Sequence, residues 1–363
     1  MREEIFFSKC ENQITKCVFP VQSIQGMNYI ALTIGVGSCL ENVENAGIAH
    51  FLEHMQMNFF DESEKRYRCS AYTDFYSTTY YFDVSDTALE CVIDIIQNIL
   101  KGNYLEKRGV EEVREDILEE YREYELKNRN ADFRMLLNGT DYENHLSIGN
   151  QNTIRSISKD EIRMFFEKFY FLENACIIWI TSPQTLNTIG DEWIANFRGA
   201  HGKIEEKILS YAEIDGVVIK NRLDNGASYY LYRQRKSDDE SINEDLLYVI
   251  QELLQESIGK VSVEKVFLSA KQEFVKVTIE DILEWKEICK RIEDLDVREI
   301  EKRYLDFLKE EPIGYNCNSL REYFVNAFTF KDMTEKEKRS ISKDIYDIKK
   351  LFMKDNMIKS VIR

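Results

Sequence analysis

The sequence predicts an α+β protein built as two α/β domains, residues 1–200 and 201–363. Three observations carry this reading. Segments with the two-residue alternation of half-buried strands take turns along the chain with segments of helical period. Two glycines in Arg198-Gly199-Ala200-His201-Gly202 interrupt that pattern near 198–206, and the alternation then resumes more loosely, as expected of two related units. The length of 363 residues admits about two domains of roughly 100–200 residues each.

Residues 13–19 and 27–37 are rich in β-branched and aromatic side chains and read as strands. Helical spacing takes over at 46–58. Residues 68–84 alternate again through Tyr72, Phe75, Thr79, Tyr81 and Phe82, as a strand pair would. An amphipathic helix is predicted over 86–101 with Asp86 as its N-cap, and a longer, highly charged one over 109–127. Ser158-Lys159-Asp160-Glu161 has the form of a capping box, opening a helix that runs to Tyr170. A buried strand at 175–181 stops at Ser182-Pro183. Past the boundary, strands are expected near 214–220, 228–234 and 273–279, and helices near 241–257, 281–311 and 335–355.

Composition narrows the function. With 48 basic against 65 acidic residues the formal net charge is −17, which repels phosphate backbones and anionic lipid. A nucleic-acid binder or a membrane-surface protein is therefore disfavoured. The 44% apolar content supports sizeable cores. Eight cysteines are scattered with no C-x-x-C pair, which fits free thiols in a reducing compartment. The first residues lack a basic segment followed by an apolar one, and no run nears the ~18 apolar residues of a bilayer span. A cytoplasmic location is the expectation.

The chemistry gathers at His50-Phe51-Leu52-Glu53-His54, which holds two of only four histidines. On a helix, positions 50, 53 and 54 fall at about 0°, 300° and 40°, within one arc of about 100°. Two imidazoles one turn apart with a carboxylate between them can hold zinc and a base beside it, in the order H-x-x-E-H. The same string also suits two half-buried histidines on an amphipathic helix. A catalytic zinc needs a third protein ligand, and the 109–127 helix is full of glutamates. Its apolar positions Val110, Val113, Ile117, Tyr121 and Tyr124 share one face. Glu120 falls about 280° from Val110, on the edge of that stripe, whereas Glu119 falls at about 180° and Glu123 at about 220°. The wheel selects Glu120 and leaves Glu115, Glu119 and Glu123 as a solvated face. His145 and His201 read as loop histidines, Trp179 as core, and Trp193 and Trp285 as helix-face packing.

Five segments in order resemble the pitrilysin/insulinase metallopeptidases, which include the mitochondrial processing peptidases. Ile34-Gly35-Val36-Gly37-Ser38 and Asn45-Ala46-Gly47-Ile48-Ala49-His50-Phe51-Leu52-Glu53-His54-Met55 resemble that family's first strand and zinc helix. Ser70-Ala71-Tyr72-Thr73 through Tyr80-Tyr81 resembles its following strand pair, and Ile117-Leu118-Glu119-Glu120 the segment of its distal ligand. Ser147-Ile148-Gly149 with Ile154-Arg155-Ser156-Ile157 resembles its next loop. The resemblance implies two similar α/β domains, with zinc (Zn2+) bound by His50, His54 and Glu120. It also implies Glu53 as general base, and a peptide substrate laid along the edge of the Ser70–Tyr81 strands.

There are departures. Where the family often has a second glutamate two turns before the distal ligand, this chain has Val113, with Glu112 adjacent. Ser70 stands where asparagine is common, and the stretch between His54 and Glu120 is short. The second domain is shortened, and nothing around 228–280 matches the segment that brings an Arg and a Tyr to the substrate. The resemblance thus implies the active subunit of a zinc endopeptidase, completed by a homologous sister subunit as a heterodimer, or by a second copy as a homodimer. Such pairs suggest short or unstructured peptides as substrates, including leaders removed from ribosomal peptide precursors. The competing expectation is a noncatalytic interaction subunit that keeps zinc for stability.

Overall fold

The computed structural model describes residues 7–57, 67–126, 137–205, 209, 217–220, 227–234, 244–269, 272–279, 285–310, 317–329, 345–346, 348–349, 351 and 359–362. The fold is mixed α+β, in two compact units. The first comprises Met1–Arg129, Asp141–Leu209 and Tyr315–Glu335, and the second Asn130–Thr140, Ser210–Gly314 and Lys336–Arg363. In chain order the first unit begins with strands β1 (Phe7–Lys9), β2 (Thr15–Pro20) and β3 (Met27–Ile34), then helix α1 (Ile48–Gln56). Strands β4 (Tyr67–Thr73) and β5 (Thr78–Ser85) follow, then α2 (Leu89–Lys101), α3 (Val110–Leu126), α4 (Gln151–Ser156) and α5 (Lys159–Phe169). Strand β6 (Ala175–Thr181) and α6 (Pro183–Ile189) end this run. The later elements are β7 (Val217–Lys220), β8 (Ala227–Gln234), α7 (Glu244–Ile258), β9 (Val261–Ser269), β10 (Gln272–Ile279), α8 (Trp285–Asp294), α9 (Val297–Glu310), α10 (Cys317–Thr329) and β11 (Lys359–Ile362).

The first sheet has the order β1-β2-β6-β3-β5-β4. Only β2 and β6 run parallel; the other neighbours are antiparallel. Every residue of β6 is buried, as a central strand with both faces covered must be. One face packs Ile30, Leu32, Tyr80, Phe82 and Trp179 against the apolar sides of α1, α2, α3 and α5. The other face carries Ala31, Cys176 and Ile178, covered by Leu320, Phe324 and Val325 of α10. That helix comes from far down the second stretch, yet belongs to the first unit. Its Arg321 guanidinium is buried on the sheet, donating to the Ile30 and Phe82 carbonyls at 3.2 and 3.0 Å and to Asp83 at 2.8 Å.

Several local expectations change. Asp86 does not cap α2, which starts at Leu89 after a short 3-10 turn over Asp86–Ala88. Its carboxylate instead accepts from Asn28 Nδ2 at 2.8 Å and from Thr185 Oγ1 at 3.0 Å, tying β3 to α6. Ser182-Pro183, read as a stop, also starts α6, with Ser182 Oγ accepting from the Thr185 amide and proline in the first turn. The single helix expected over 281–311 is two, α8 and α9. Strand β9 and helix α10 had no counterpart in the pattern, and most of the expected 335–355 helix lies outside the described residues. By contrast, the Ser158 box forms: the Glu161 amide donates to Ser158 Oγ at 3.3 Å, and the Ser158 amide to Glu161 Oε2 at 2.8 Å.

The second unit is built on a sheet of order β11-β7-β8-β10-β9. Its core joins Val275 and Val277 to Leu246, Ile250 and Leu254 of α7 and Ile288, Ile292 and Ile300 of α8 and α9. Among the described residues, no helix is long and apolar enough to cross a membrane.

Candidate metal centre

Helix α1 is short, and its start is fixed by sequence features outside it. Gly47 precedes it at φ +95°, a left-handed conformation that disfavours any side chain. Gly149 crosses at the same point, and a Cβ on it would lie 2.5 Å from the Ala46 carbonyl oxygen. The buried Glu41 carboxylate reaches back to the helix start and accepts from the amides of Gly47 at 2.7 Å and Ala49 at 2.8 Å. Two amides that the helix leaves unpaired are thereby satisfied, by a negative charge at the positive end of the dipole. Ile48, Phe51, Leu52 and Met55 anchor α1 in the core. His50, Glu53 and His54 occupy the remaining side.

Helix α3 brings the fourth residue. Val113, Ile117 and Leu118 are buried against the core. Arg114 donates to the carbonyls of Ile154 and Ile157, and its guanidinium lies 5.5 Å from the Phe51 ring centre of α1. Two turns past Val113, Glu120 faces the histidines. Its Oε2 lies 3.5 Å from His50 Nε2 and 3.3 Å from His54 Nε2, and the two nitrogens are 3.1 Å apart. Ligands at about 2.0–2.1 Å around a tetrahedral zinc stand about 3.3 Å from one another. The three atoms therefore have the spacing of one face of a zinc tetrahedron. The donor set, two imidazoles and a carboxylate, also suits zinc. His50 Nδ1 is buried and has no hydrogen-bond partner among the described residues.

Glu53 stands apart from this triangle. Its Oε2 accepts from Thr73 Oγ1 at 2.6 Å. Burial pushes its carboxyl up to about 7, against the Thr73 hydrogen bond and the His54 charge, which pull it down. Burial and the neighbouring His54 hold the His50 imidazole down at about 4, in the neutral form a metal ligand requires. At His54, burial lowers the imidazole, but the Glu120 hydrogen bond and the charges of Glu53, Glu120 and Asp116 outweigh it and leave it above its ordinary value. Glu120 is held below the usual carboxylate range by its bond to His54, against partial burial.

The structure thus brings His50, Glu53, His54 and Glu120 together. Glu115, Glu119 and Glu123 are exposed, and Glu119 pairs with Arg122 at 2.6 Å. Glu112 points to solvent and pairs with Arg108 at 2.5 Å, while Val113 is core. Neither supports the site. His145 is buried rather than loose, its Nδ1 2.8 Å from the Ser38 carbonyl. His201 is exposed beside Glu173. Trp179 is core, and Trp193 packs edge-on against it; the side chain of Trp285 lies outside the described residues. Sequence reasoning missed Glu41 and Thr73. A carboxylate six residues before an α-helix glycine was the only signal for the first, and the strand-end threonine gave none.

The segment that carries this geometry is similar to a known family. Residues 22–153, which contain all four side chains, match the model of Insulinase (Peptidase family M16). The chain is 31% identical over 192 residues to the chloroplastic stromal processing peptidase of Pisum sativum, covering 47% of this chain and 15% of that protein. It is 26% identical over 155 residues to the probable mitochondrial-processing peptidase subunit beta of Arabidopsis thaliana, covering 39% and 29%. The chain thus spans less than a third of the length of these curated relatives. The crystal structure of the first half of the periplasmic protease PqqL from Escherichia coli superposes with a TM-score of 0.73 at 16% identity, covering 97% of this chain and 88% of that one. Residues 22–153 are thus similar to the insulinase family, peptidase family M16, and nearly the whole chain shares the fold of the PqqL half.

Proposed function

We propose that this chain is the zinc-bearing subunit of a metallopeptidase that hydrolyses short or unstructured peptides. The observation that carries the reading is the convergence of His50 Nε2, His54 Nε2 and Glu120 Oε2 at 3.1–3.5 Å, with the buried Glu53 carboxylate on the helix of the two histidines bonded to Thr73. His50, His54 and Glu120 would hold the metal. When bound, zinc supplies Lewis acidity at the scissile carbonyl and acidifies water. Glu53 takes the proton of the attacking water and delivers it to the leaving amine. A metal kept only for stability has no use for such a base, so the noncatalytic reading is not favoured.

The substrate site follows from topology. Strand β4 is outermost in its sheet among the described residues, and its last residue, Thr73, bonds Glu53. A peptide pairing with the outer edge of β4 would run its backbone past the base, which is recognition by strand addition. That mode selects extended, unstructured chains, leader segments of ribosomal peptide precursors among them. The match to the first half of a longer protease, and to a relative named as a subunit, supports a second, homologous chain completing the enzyme. A sister subunit or a second copy would fill that place.

Replacing Glu53 by Gln tests the mechanism. The variant should keep one zinc per chain while peptide cleavage falls by about 10³-fold or more, a loss matching the removal of an essential base. Zinc-replete Glu53→Gln cleaving at the wild-type rate would sink the assignment.

A further inference from the structure

We propose that Thr73 is a positioning residue that holds Glu53 out of the metal's ligand set and so keeps it a base; this rests on the zinc site proposed above. Two carboxylates lie near the imidazole pair. The ligand-capable atoms of His50, Glu53 and His54 all fall within 4.8 Å of one another, so Glu53 is close enough to compete with Glu120 for the metal. Something must separate the two roles. Glu120 is half exposed, with Oε2 turned to both Nε2 atoms. Glu53 is buried, and its Oε2 is taken by the Thr73 hydroxyl at 2.6 Å, the length of a charge-assisted bond. Among the described residues no other group donates to the Glu53 carboxylate.

The hydroxyl protons show that this bond is committed. The Thr78 hydroxyl donates to the Val36 carbonyl at 2.9 Å, which accepts only. Its single proton is therefore spent there. Thr73 Oγ1 lies 3.3 Å from Thr78 Oγ1 and 2.6 Å from Glu53 Oε2, and its one proton goes to the nearer acceptor.

The tether stands on a rigid support. Thr73 and Thr78 are the last cross-strand pair of the β4–β5 hairpin. Its turn is closed by Asp74, whose Oδ1 accepts from the Tyr76 and Ser77 amides, both at 2.6 Å. The turn also presses on Gly37, where a Cβ would lie 2.3 Å from the Asp74 carbonyl oxygen. A hydroxyl fixed this way restrains one Glu53 oxygen and leaves the other available for water.

Cobalt(II) as a probe metal tests the role without relying on turnover. Thr73→Val removes the donor and keeps the β-branched strand shape; Thr73→Ser restores the donor. The expected Thr73→Val protein binds one cobalt, shows a changed visible spectrum as Glu53 joins the ligands, and releases the metal more slowly because one more ligand holds it. Its kcat for peptide cleavage falls about 100-fold with KM unchanged, while Thr73→Ser matches wild type in spectrum and stays within about 3-fold in kcat. Where valine prevents folding, Thr73→Ala takes its place in the same comparison. A Thr73→Val spectrum, release rate and kcat equal to wild type overturn the proposal and leave the zinc site standing. Wild-type protein that takes up no cobalt overturns both. If wild type binds cobalt but cleaves nothing, the spectra and release rates alone decide.

Discussion

Glu41 shows how a residue outside the metal site sustains it. Its carboxylate is 2% exposed and accepts two amides of α1, at 2.7 and 2.8 Å. Each hydrogen bond to a charged group contributes about 1.5–3 kcal/mol. Truncation to alanine would leave the Gly47 and Ala49 amides unpaired in a region water reaches poorly, since Ala49 is 1% exposed. Discounting part of the sum for the desolvation the carboxylate already bears, Glu41→Ala should cost about 3–4 kcal/mol. Glu41→Gln keeps one acceptor and loses the charge, and should cost about 2 kcal/mol. The assay is urea unfolding read by tryptophan fluorescence, since Trp179 and Trp193 pack together in the first unit. A Glu41→Ala protein within about 1 kcal/mol of wild type would refute the cap as the element that fixes α1.

Two further predictions test the frame around the site. Gly149→Ala places a Cβ 2.5 Å from the Ala46 oxygen at a residue with φ +69°, so the first unit should lose at least about 2 kcal/mol by the same unfolding assay. Arg321→Met removes donors to Ile30, Phe82 and Asp83 and should lower stability by about 2–3 kcal/mol; the cost is limited because the guanidinium Nε already lacks a partner among the described residues.

The sequence carried most of what local period can carry. Helices α1 and α3 show their apolar stripes plainly, and the wheel put Glu120 at the edge of one, which is where the structure turns it toward the histidines. Strands β4 and β5 were readable because their outward and inward residues alternate, and β3 and β6 because they are apolar along most of their length. The misses are tertiary. Asp86 has the chemistry of a cap, but Asn28 and Thr185 offer its carboxylate partners that only the fold brings near. Arg321 sits on an amphipathic helix where a charge normally faces water, yet sheet carbonyls and Asp83 receive it. Thr73 looks like any strand threonine until the hairpin sets it beside Glu53. Glu41 acts across a loop, at no helical or strand spacing from the residues it supports.

Metal content per chain tests the central claim most directly, measured on wild type and on Glu120→Ala after dialysis against zinc-free buffer. The site described here predicts one zinc per wild-type chain and, with one of three ligands gone, a fall in affinity of about 100-fold or more that leaves Glu120→Ala essentially metal-free but folded. Wild-type protein without zinc, or Glu120→Ala protein that retains it in full, would contradict the site.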